Sequence, residues 1–389
     1  IESNGFGDSC AIKLAEILSD NTSLTDVRIK SEILGGTGIK RLANALKVNK
    51  TVRTLGIDGG NMTSEAGRAI GEMLRHNTTV TSLFLSGGRL GDFGARGIAI
   101  GLAQNTTIAQ LSIANSSICT AGIKAITKSL KNNVTLSEIC IESDGFGDSC
   151  AIKLAEILSD NTSLTDVRID SNILGGTGIK RLANALKVNK TVRTLGIAGG
   201  NMTSEAGRAI GEMLRHNTTV TSLFLSGGRL GDSGARGIAI GLAQKRTIAQ
   251  LSIANSSIGT AGIKAITKVI QNVTHLDLSG NPVGYDGVKA IARLLVKSCC
   301  RLKFLFLDRC NIDVFGAKEL AIALSRNSCL EELSVACNDI NDEGMCALAE
   351  SVASNETLQV LYISYNNVGQ NGKKVIISAC ETSKSVRHL

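Results

Sequence analysis

The sequence predicts an α/β solenoid, in which a strand–turn–helix unit recurs along all 389 residues. We expect a curved, horseshoe-shaped array with parallel strands on its concave face and helices on its convex face. Three observations support this prediction: an alternating apolar motif returns about every 28 residues, each motif precedes a stretch with the apolar spacing of a helix, and one long block occurs twice. Because helices are about 10 Å across and parallel strands lie about 4.8 Å apart, stacking them on opposite sides makes such an array curve.

One unit is clearest between residues 330 and 357. Its first half reads Leu-x-x-Leu-x-Val and ends at Asn338, which is the pattern of a half-buried strand followed by a tight turn. Its second half, residues 342–354, has apolar residues at helical spacing and begins after Asn341, a residue type favoured as a helix cap. The same pattern begins again at Leu358, so each unit is predicted to contain one strand, one turn and one helix.

The starts of the units are regularly spaced over most of the chain. One constant interval separates the first nine, which are Leu24, Val52, Val80, Ile108, Leu136, Leu164, Val192, Val220 and Ile248. The later starts are Val273, Leu302, Leu330, Leu358 and the partial motif Val386-x-x-Leu389. We therefore interpret residues 1–389 as a single solenoid of about 14 repeats. Residues 1–3 match the end of a strand, and no polar capping unit is evident, so we interpret the chain as part of a longer protein whose uncapped ends allow end-to-end contacts.

A longer repeat overlies the short one, because residues 1–128 recur at 141–268. Eight positions differ between the two copies: Asn4/Asp144, Lys30/Asp170, Glu32/Asn172, Asp58/Ala198, Phe93/Ser233, Asn105/Lys245, Thr106/Arg246 and Cys119/Gly259. The chain is thus predicted to contain sub-blocks 1–140, 141–272 and 273–389. The duplication either lengthens the array or provides two equivalent docking sites five repeats apart. The sequence leaves open whether the duplication is natural or engineered.

The regular step fails once, between Ile248 and Val273, where the interval is shorter than in the preceding repeats. The loss of three residues removes about one helical turn. Beyond this point, the turn position that Gly or Ser fills in several earlier repeats is occupied by Asn281, Cys310, Asn338 and Asn366. Since Asn side chains can bond buried backbone groups, we expect the last four repeats to be the more stable part.

Composition favours a protein of a reducing compartment. The net charge is +8 without any run of five like charges, and no apolar run approaches the roughly 20 residues needed to cross a bilayer. The eleven Cys residues show neither an even disulfide framework nor the spacing of metal ligands. Triplets of the form Asn-x-Ser/Thr, such as those at Asn77 and Asn217, recur at one fixed point of the unit, which favours a structural role over glycosylation. We therefore predict a cytoplasmic location and no membrane contact.

Residues that would carry catalysis or bind a cofactor are scarce. Of the four His residues, His76 and His216 end predicted helices, where a positive charge is favourable, and His275 has no matching nucleophile. Glycine-rich stretches such as residues 86–91 lack the residue order of a phosphate-binding loop. Acidic residues alternate with basic ones and Trp is absent, which argues against nucleic-acid binding. We predict no enzymatic activity, no cofactor and no metal.

The predicted binding site consists of strand residues that point away from the core. In the duplicated block these residues are mostly small or polar, whereas the C-terminal repeats place four of the chain's eleven Phe and Tyr residues there. Exposed aromatic residues beside Arg are typical of interface anchors. The predicted partner-binding residues are Phe304, Phe306, Asp308, Arg309, Glu331, Glu332, Tyr362, Tyr365, Phe84 and Phe224.

The motif Leu330-x-x-Leu333-x-Val335-x-x-Asn338-x-Ile340 and the helix after it resemble a leucine-rich repeat of the strand-plus-helix form. This form is found in the ribonuclease inhibitor and in the sensor region of NOD-like receptors, and the resemblance covers essentially the whole chain. It implies a non-catalytic protein–protein interaction scaffold or ligand-sensing module within a larger chain. Two alternatives stay open: a regulator of an enzyme, of the GTPase-activator or nuclease-inhibitor type, and a structural spacer in a cytoskeletal or ciliary assembly. The partner protein and the oligomeric state also stay open.

Overall fold

The computed structural model describes residues 1–3, 5–244 and 247–388. Three of the positions at which the copies differ, Asn4, Lys245 and Arg246, lie outside the described residues, and so does Leu389 of the last partial motif. The chain divides into two compact units, Ile1–Gly200 and Asn201–Leu389, which we call unit 1 and unit 2. The sub-block boundaries near residues 140 and 272 stay predictions.

Helices and strands alternate throughout both units. Unit 1 contains α1 (Asp8–Asp20), β1 (Asp26–Lys30), α2 (Gly36–Leu46), β2 (Thr54–Asp58), α3 (Ser64–His76), β3 (Ser82–Ser86), α4 (Gly91–Leu102), β4 (Gln110–Ala114), α5 (Thr120–Ser129), β5 (Glu138–Glu142), α6 (Asp148–Leu158), β6 (Asp166–Asp170), α7 (Gly176–Leu186) and β7 (Thr194–Ala198). Unit 2 contains α8 (Ser204–His216), β8 (Ser222–Ser226), α9 (Gly231–Ala243), β9 (Gln250–Ser252), α10 (Thr260–Thr267), β10 (His275–Asp277), α11 (Gly284–Leu295), β11 (Phe304–Phe306), α12 (Val314–Leu324), β12 (Glu332–Ser334), α13 (Asp342–Ser354), β13 (Val360–Tyr362) and α14 (Gln370–Thr382).

Each strand pairs in parallel with the next strand of its unit, so β1–β7 and β8–β13 follow chain order. In unit 1 the paired residues are separated by one full repeat, as at Val27 and Leu55, because the repeat length is constant. The shortened step shows directly in unit 2, where Leu251 pairs with Leu276. The predicted alternation of parallel strands and helices is confirmed.

The core of each repeat lies between its strand and its helix. In β1 the alternate residues Val27 and Ile29 are buried, and in α2 the apolar stripe of Ile39, Leu42 and Leu46 is fully buried. Burial therefore follows a period of two in the strand and of about 3.6 in the helix, which is how the two elements present one apolar side to each other.

The Asn residues three positions before the repeat starts, most of them in Asn-x-Ser/Thr triplets, form a buried ladder, which we call the loop ladder. Asn77 is 3% exposed; its Oδ1 accepts from the N–H groups of Thr79 and Val80, and its Nδ2 donates to the carbonyls of Leu46 and Asn49. The buried members are Asn49, Asn77, Asn105, Asn133, Asn161, Asn189, Asn217, Asn327 and Asn355. In each of these loops, the Asn side chain supplies hydrogen-bond partners to backbone groups that would otherwise be buried without any.

A second ladder, which we call the turn ladder, follows the strands of unit 2. Asn338 is buried; its Nδ2 donates to the carbonyls of Leu307 and Val335, and its Oδ1 accepts from the N–H groups of Cys310 and Ile312. Asn281 and Asn366 make similar bonds to the preceding turn, and Asn281 is buried whereas Asn366 is half-buried. Burial raises the pKa of the Cys310 thiol to about 12, so Cys310 fills its turn as a neutral group.

Several helices begin on a cap that the preceding helix supplies. Asp8, in the first turn of α1, accepts hydrogen bonds from the N–H groups of Gly35 and Gly38 at the start of α2. Asp92 does the same for the start of α5. A helix start leaves N–H groups without partners and attracts negative charge, so one carboxylate stabilises its neighbour's first turn. Asn341, by contrast, caps its own helix α13, as the sequence predicts.

Glycines bring α3 and α4 unusually close together in unit 1. A Cβ at Gly71 would overlap the Gly97 carbonyl oxygen, and a Cβ at Gly101 would overlap the carbonyl oxygen of Gly71. The two backbones therefore touch, which only residues without a side chain allow. The pair α8 and α9 repeats this contact in unit 2 through Gly211 and Gly237.

Candidate partner-binding site

The residues predicted to bind a partner lie on the exposed side of unit 2's strands, which we call the strand face. Register places Phe306 beside Asp277 on one neighbouring strand and beside Ser334 on the other, with Tyr362 next to Ser334. Leu305, between the two Phe residues of β11, is fully buried. The strand therefore turns both phenyl rings outward, where Phe304 and Phe306 are half-buried and Tyr362 is 45% exposed.

His275 belongs to this surface through a ring contact. Its imidazole stacks on the Phe304 ring with a centroid separation of 4.1 Å and an angle of 16° between the planes. Its Nδ1 lies 2.8 Å from the Thr274 hydroxyl. Burial lowers the pKa of His275, although Glu331 and Glu332 act in the opposite direction. In the sequence, His275 lacks the matching nucleophile that catalysis would need, and in the structure its ring packs against Phe304.

Some carboxylates of the site form hydrogen bonds or ion pairs within the chain. Asp308 accepts hydrogen bonds from the Ser334 hydroxyl and from the Ala336 N–H, which ties the end of β11 to β12. Glu331 is bonded to Lys303 at 2.6 Å. Glu332 is half-buried, and no ion pair among the described residues includes it. The strand face thus places negative charge beside its rings.

Arg309 and Tyr365 lie in the turns that follow the strands. Both residues have positive φ, at 54° and 57°, which directs them away from the strand. Tyr365 is 86% exposed and Arg309 is also exposed. The Phe304 ring of β11 is stacked on His275 and not on Tyr365. Tyr365 therefore extends from the rim of the site.

Phe84 and Phe224 occupy equivalent strand positions in the two copies. In unit 1, register aligns Arg28, Gly56 and Phe84 on three neighbouring strands, and the Arg28 guanidinium lies 5.5 Å from the Phe84 ring centroid. Gly56, which has no side chain, leaves room for Arg28 to cross it. In unit 2, Phe224 lines a cavity of about 230 Å³ together with Phe306 and other strand-face residues. Phe224 therefore adjoins the predicted site, and Phe84 contacts a cation of its own chain.

The described residues contain no group of three or more His, Cys, Asp or Glu side chains arranged to hold a metal ion. Among them, too, no helix is both long enough and apolar enough to cross a membrane.

Comparison with known proteins adds the family. A family described as Leucine Rich repeat matches residues 76–99, 216–239, 269–292, 326–349 and 354–376. The mouse protein named ribonuclease inhibitor is 35% identical over 81 residues, which are 21% of this chain and 18% of that protein. The chain carries leucine-rich repeats that are similar to those of the ribonuclease inhibitor.

Longer relatives carry similar leucine-rich repeats. The mouse "NACHT, LRR and PYD domains-containing protein 14" is 29% identical over 120 residues, which are 31% of this chain but only 12% of that protein. The bovine "NACHT, LRR and PYD domains-containing protein 5" is 39% identical over 80 residues, or 7% of its length. The chain therefore spans a small part of these relatives. Leucine-rich repeats are typically protein-interaction modules, and the repeat regions of such relatives are typically non-catalytic.

A solved structure is similar over most of the chain. The crystal structure of the Rad7 and Elc1 complex in yeast contains a chain with a TM-score of 0.58 at 15% identity, covering 97% of this chain and 85% of that one. At this identity the likeness concerns the fold alone.

Proposed function

We propose that this leucine-rich-repeat protein is a non-catalytic interaction module that binds another protein through the strand face of β10–β13. The observation that carries this proposal is the row Phe306–Ser334–Tyr362, in which two partly exposed rings flank a small residue. Two strand spacings separate the rings by about 10 Å at the backbone, and Ser334 between them is buried, with its hydroxyl bonded to Asp308. Partly exposed aromatic residues are the usual anchors of protein interfaces.

The charge of the surface indicates what kind of partner fits. Four acidic residues lie beside the rings: Asp277, Asp308, Glu331 and Glu332. The cations of the site are Lys303 and Arg309. A partner with apolar side chains and at least one basic side chain complements this arrangement. In unit 1, Arg28 on the Phe84 ring is an example of such a contact within the chain itself.

A binding assay with single-ring variants tests this proposal. We expect Phe306→Ala and Tyr362→Ala each to weaken the physiological partner at least about 30-fold, because truncating an interface anchor usually costs about 2 kcal/mol or more. Phe84→Ala should have a smaller effect, since its ring already contacts Arg28. A photo-cross-linking residue at position 306, compared with one at the exposed Phe315 of α12, would identify the partner.

Thermal melting separates the binding role from a structural one. If Phe306→Ala and Tyr362→Ala bind normally but melt at lower temperature, the rings serve the fold and the proposed site is wrong. A spacer role predicts that no cross-linked partner depends on either ring.

We further propose that the protein works in the cytoplasm, because the Asn residues of the loop ladder have no amide available for a glycan. The Asn77 Nδ2 is buried and already donates two hydrogen bonds. We expect mass spectrometry of the native protein to find Asn77 and Asn217 unmodified. The exposed Asn61, in a triplet of the same form, is the matched control. A glycan at Asn77 or Asn217 would refute both the location and the ladder.

A further inference from the structure

A row of four cations crosses the helix side of unit 1. Lys40, Arg68, Arg96 and Lys124 occupy the same position of successive repeats, one on each of the helices α2 to α5, and all four are exposed. These helices pack side by side in chain order. Since neighbouring helix axes lie about 8–10 Å apart, the row is roughly 25–30 Å long. We call it the cation row.

The residue at this repeat position is apolar on α1 and α6, the helices on either side of the row. Ile12 occupies it on α1 and Ile152 on α6, and the duplicated block repeats the run as Lys180, Arg208, Arg236 and Lys264 on α7–α10. No ion pair among the described residues includes any of the four cations. Like charges at this spacing repel one another weakly, and the fold gains nothing from leaving them unneutralised.

Helices α10–α12 show a contrast at this position. There Lys264, Lys289 and Lys318 are half-buried and paired with acids of the next helix: Lys264 with Asp286 at 2.8 Å, Lys289 with Glu319 at 3.4 Å and Lys318 with Glu343 at 2.5 Å. One repeat position therefore carries cations in both units, but on α10–α12 the protein supplies the acids itself. On α2–α5 an acid stands at the corresponding place only at Glu65, next to Lys40, and the other three cations have none there.

The neighbours of the row limit the width of its positive potential. Glu65 and Glu72 lie one turn before and after Arg68 on α3. On α4, Arg96 lies between Phe93, which is 74% exposed, and Ile100, which is 59% exposed. A broad anionic surface would meet the two glutamates, whereas a narrow anionic chain lying along the row would not. The exposed apolar residues on both sides of Arg96 add area that such a chain can cover.

We propose that the cation row binds an extended acidic segment of a partner protein, with carboxylates at about every third residue. An extended chain rises about 3.3 Å per residue, so three residues span about 10 Å, close to the spacing of the helices. Phosphates of a single-stranded nucleic acid are spaced more closely, and binding of that kind relies on several aromatic platforms, whereas this surface has one Phe. This surface is separate from the strand face, and the proposal does not depend on the function proposed there.

Fluorescence anisotropy with two labelled peptides of about twelve residues and identical composition tests the spacing. One peptide carries Glu at every third position, and the other carries the same Glu residues in one block. We expect the spaced peptide to bind the full chain at least about fivefold more tightly at physiological salt, and to lose affinity as salt rises. Equal affinity for the two peptides would overturn the proposal, and so would tighter binding of a single-stranded oligonucleotide or of anionic vesicles.

Variants locate the binding on the chain. The row occurs in both copies, so the fourfold variant Arg68→Gln, Arg96→Gln, Arg208→Gln and Arg236→Gln should weaken the spaced peptide about tenfold or more. Lys at the same four positions should retain most of the affinity. The matched control, Lys289→Gln with Lys318→Gln, changes the same repeat position where the cations are already paired, and should alter affinity less than about twofold. All these residues lie on helix surfaces, so melting temperatures report whether each variant folds. Unchanged binding by the folded fourfold Gln variant would refute the assignment.

Discussion

At the scale of single residues, buried asparagines connect successive repeats. Asn338 bonds five backbone groups, two on its own turn and three on the turn before it. Asn77 bonds two groups in its own loop and two in the repeat before it. An Asn amide suits this role because it presents a donor and an acceptor at one end of a short side chain. Neither oxygen nor nitrogen is left over for solvent.

Replacement of Asn338 should be costly for this reason. We expect Asn338→Leu to reduce the free energy of unfolding by at least about 3 kcal/mol, because several buried backbone groups lose their partners together. Urea denaturation measures the change. The control is Asn367→Ala, which removes an exposed side chain that bonds only Asp339 at 3.5 Å. Equal stability of the two variants would mean that the turn ladder contributes nothing.

At the scale of elements, the helices of unit 1 differ in how closely they pack. Most are held by apolar side chains, but α3 and α4 meet backbone to backbone at Gly71 and Gly97. Close approach increases van der Waals contact between the helices and leaves no volume for even one methyl group.

A single added methyl group should therefore separate these helices. We expect Gly71→Ala to destabilise the protein by about 2–3 kcal/mol, since Ala favours the helix intrinsically but its Cβ overlaps the Gly97 carbonyl. Gly91→Ala, where no atom lies within 4 Å of the added Cβ, should cost only about 1 kcal/mol from its positive φ. Chemical denaturation that ranks the two variants in the opposite order would contradict the backbone contact.

At the scale of the whole molecule, the two ladders are distributed unevenly. The expectation that the last four repeats are more stable considered only the turn ladder, and the loop ladder also supports the earlier repeats. In unit 2 the loop-ladder position is occupied by Ile270 and Cys299 before the starts at Val273 and Leu302. The adjoining α10 has eight residues and is the shortest helix among the described residues.

Hydrogen exchange should therefore be fastest around α10 within unit 2. Local opening requires the loss of fewer hydrogen bonds where the loop ladder is interrupted. The control in the same unit is α13, which lies between the buried Asn327 and Asn355. Uniform protection of α10 and α13 would show that the ladder does not set local stability.

Much of this architecture could be predicted because it depends on short-range patterns. The strands and helices follow from apolar spacing, and the Asn341 cap precedes its own helix. The Asp8 cap could not be predicted in the same way, because the N–H groups that it bonds are 27 and 30 residues further along the chain. At the candidate site, Phe304 and Phe306 are turned outward as expected, but the His275 stack depends on the register between β10 and β11, which belong to different repeats.

The loop ladder also has a direction along the chain. The Nδ2 groups of Asn49, Asn77 and Asn105 donate to carbonyls 28 and 31 residues before them. During synthesis, each such side chain therefore leaves the ribosome after the carbonyls that its Nδ2 will bond. At about 5–20 residues per second, each new repeat follows its predecessor within roughly 1–6 s. Each emerging repeat can then close onto the finished edge of the nascent protein without waiting for the rest of its chain.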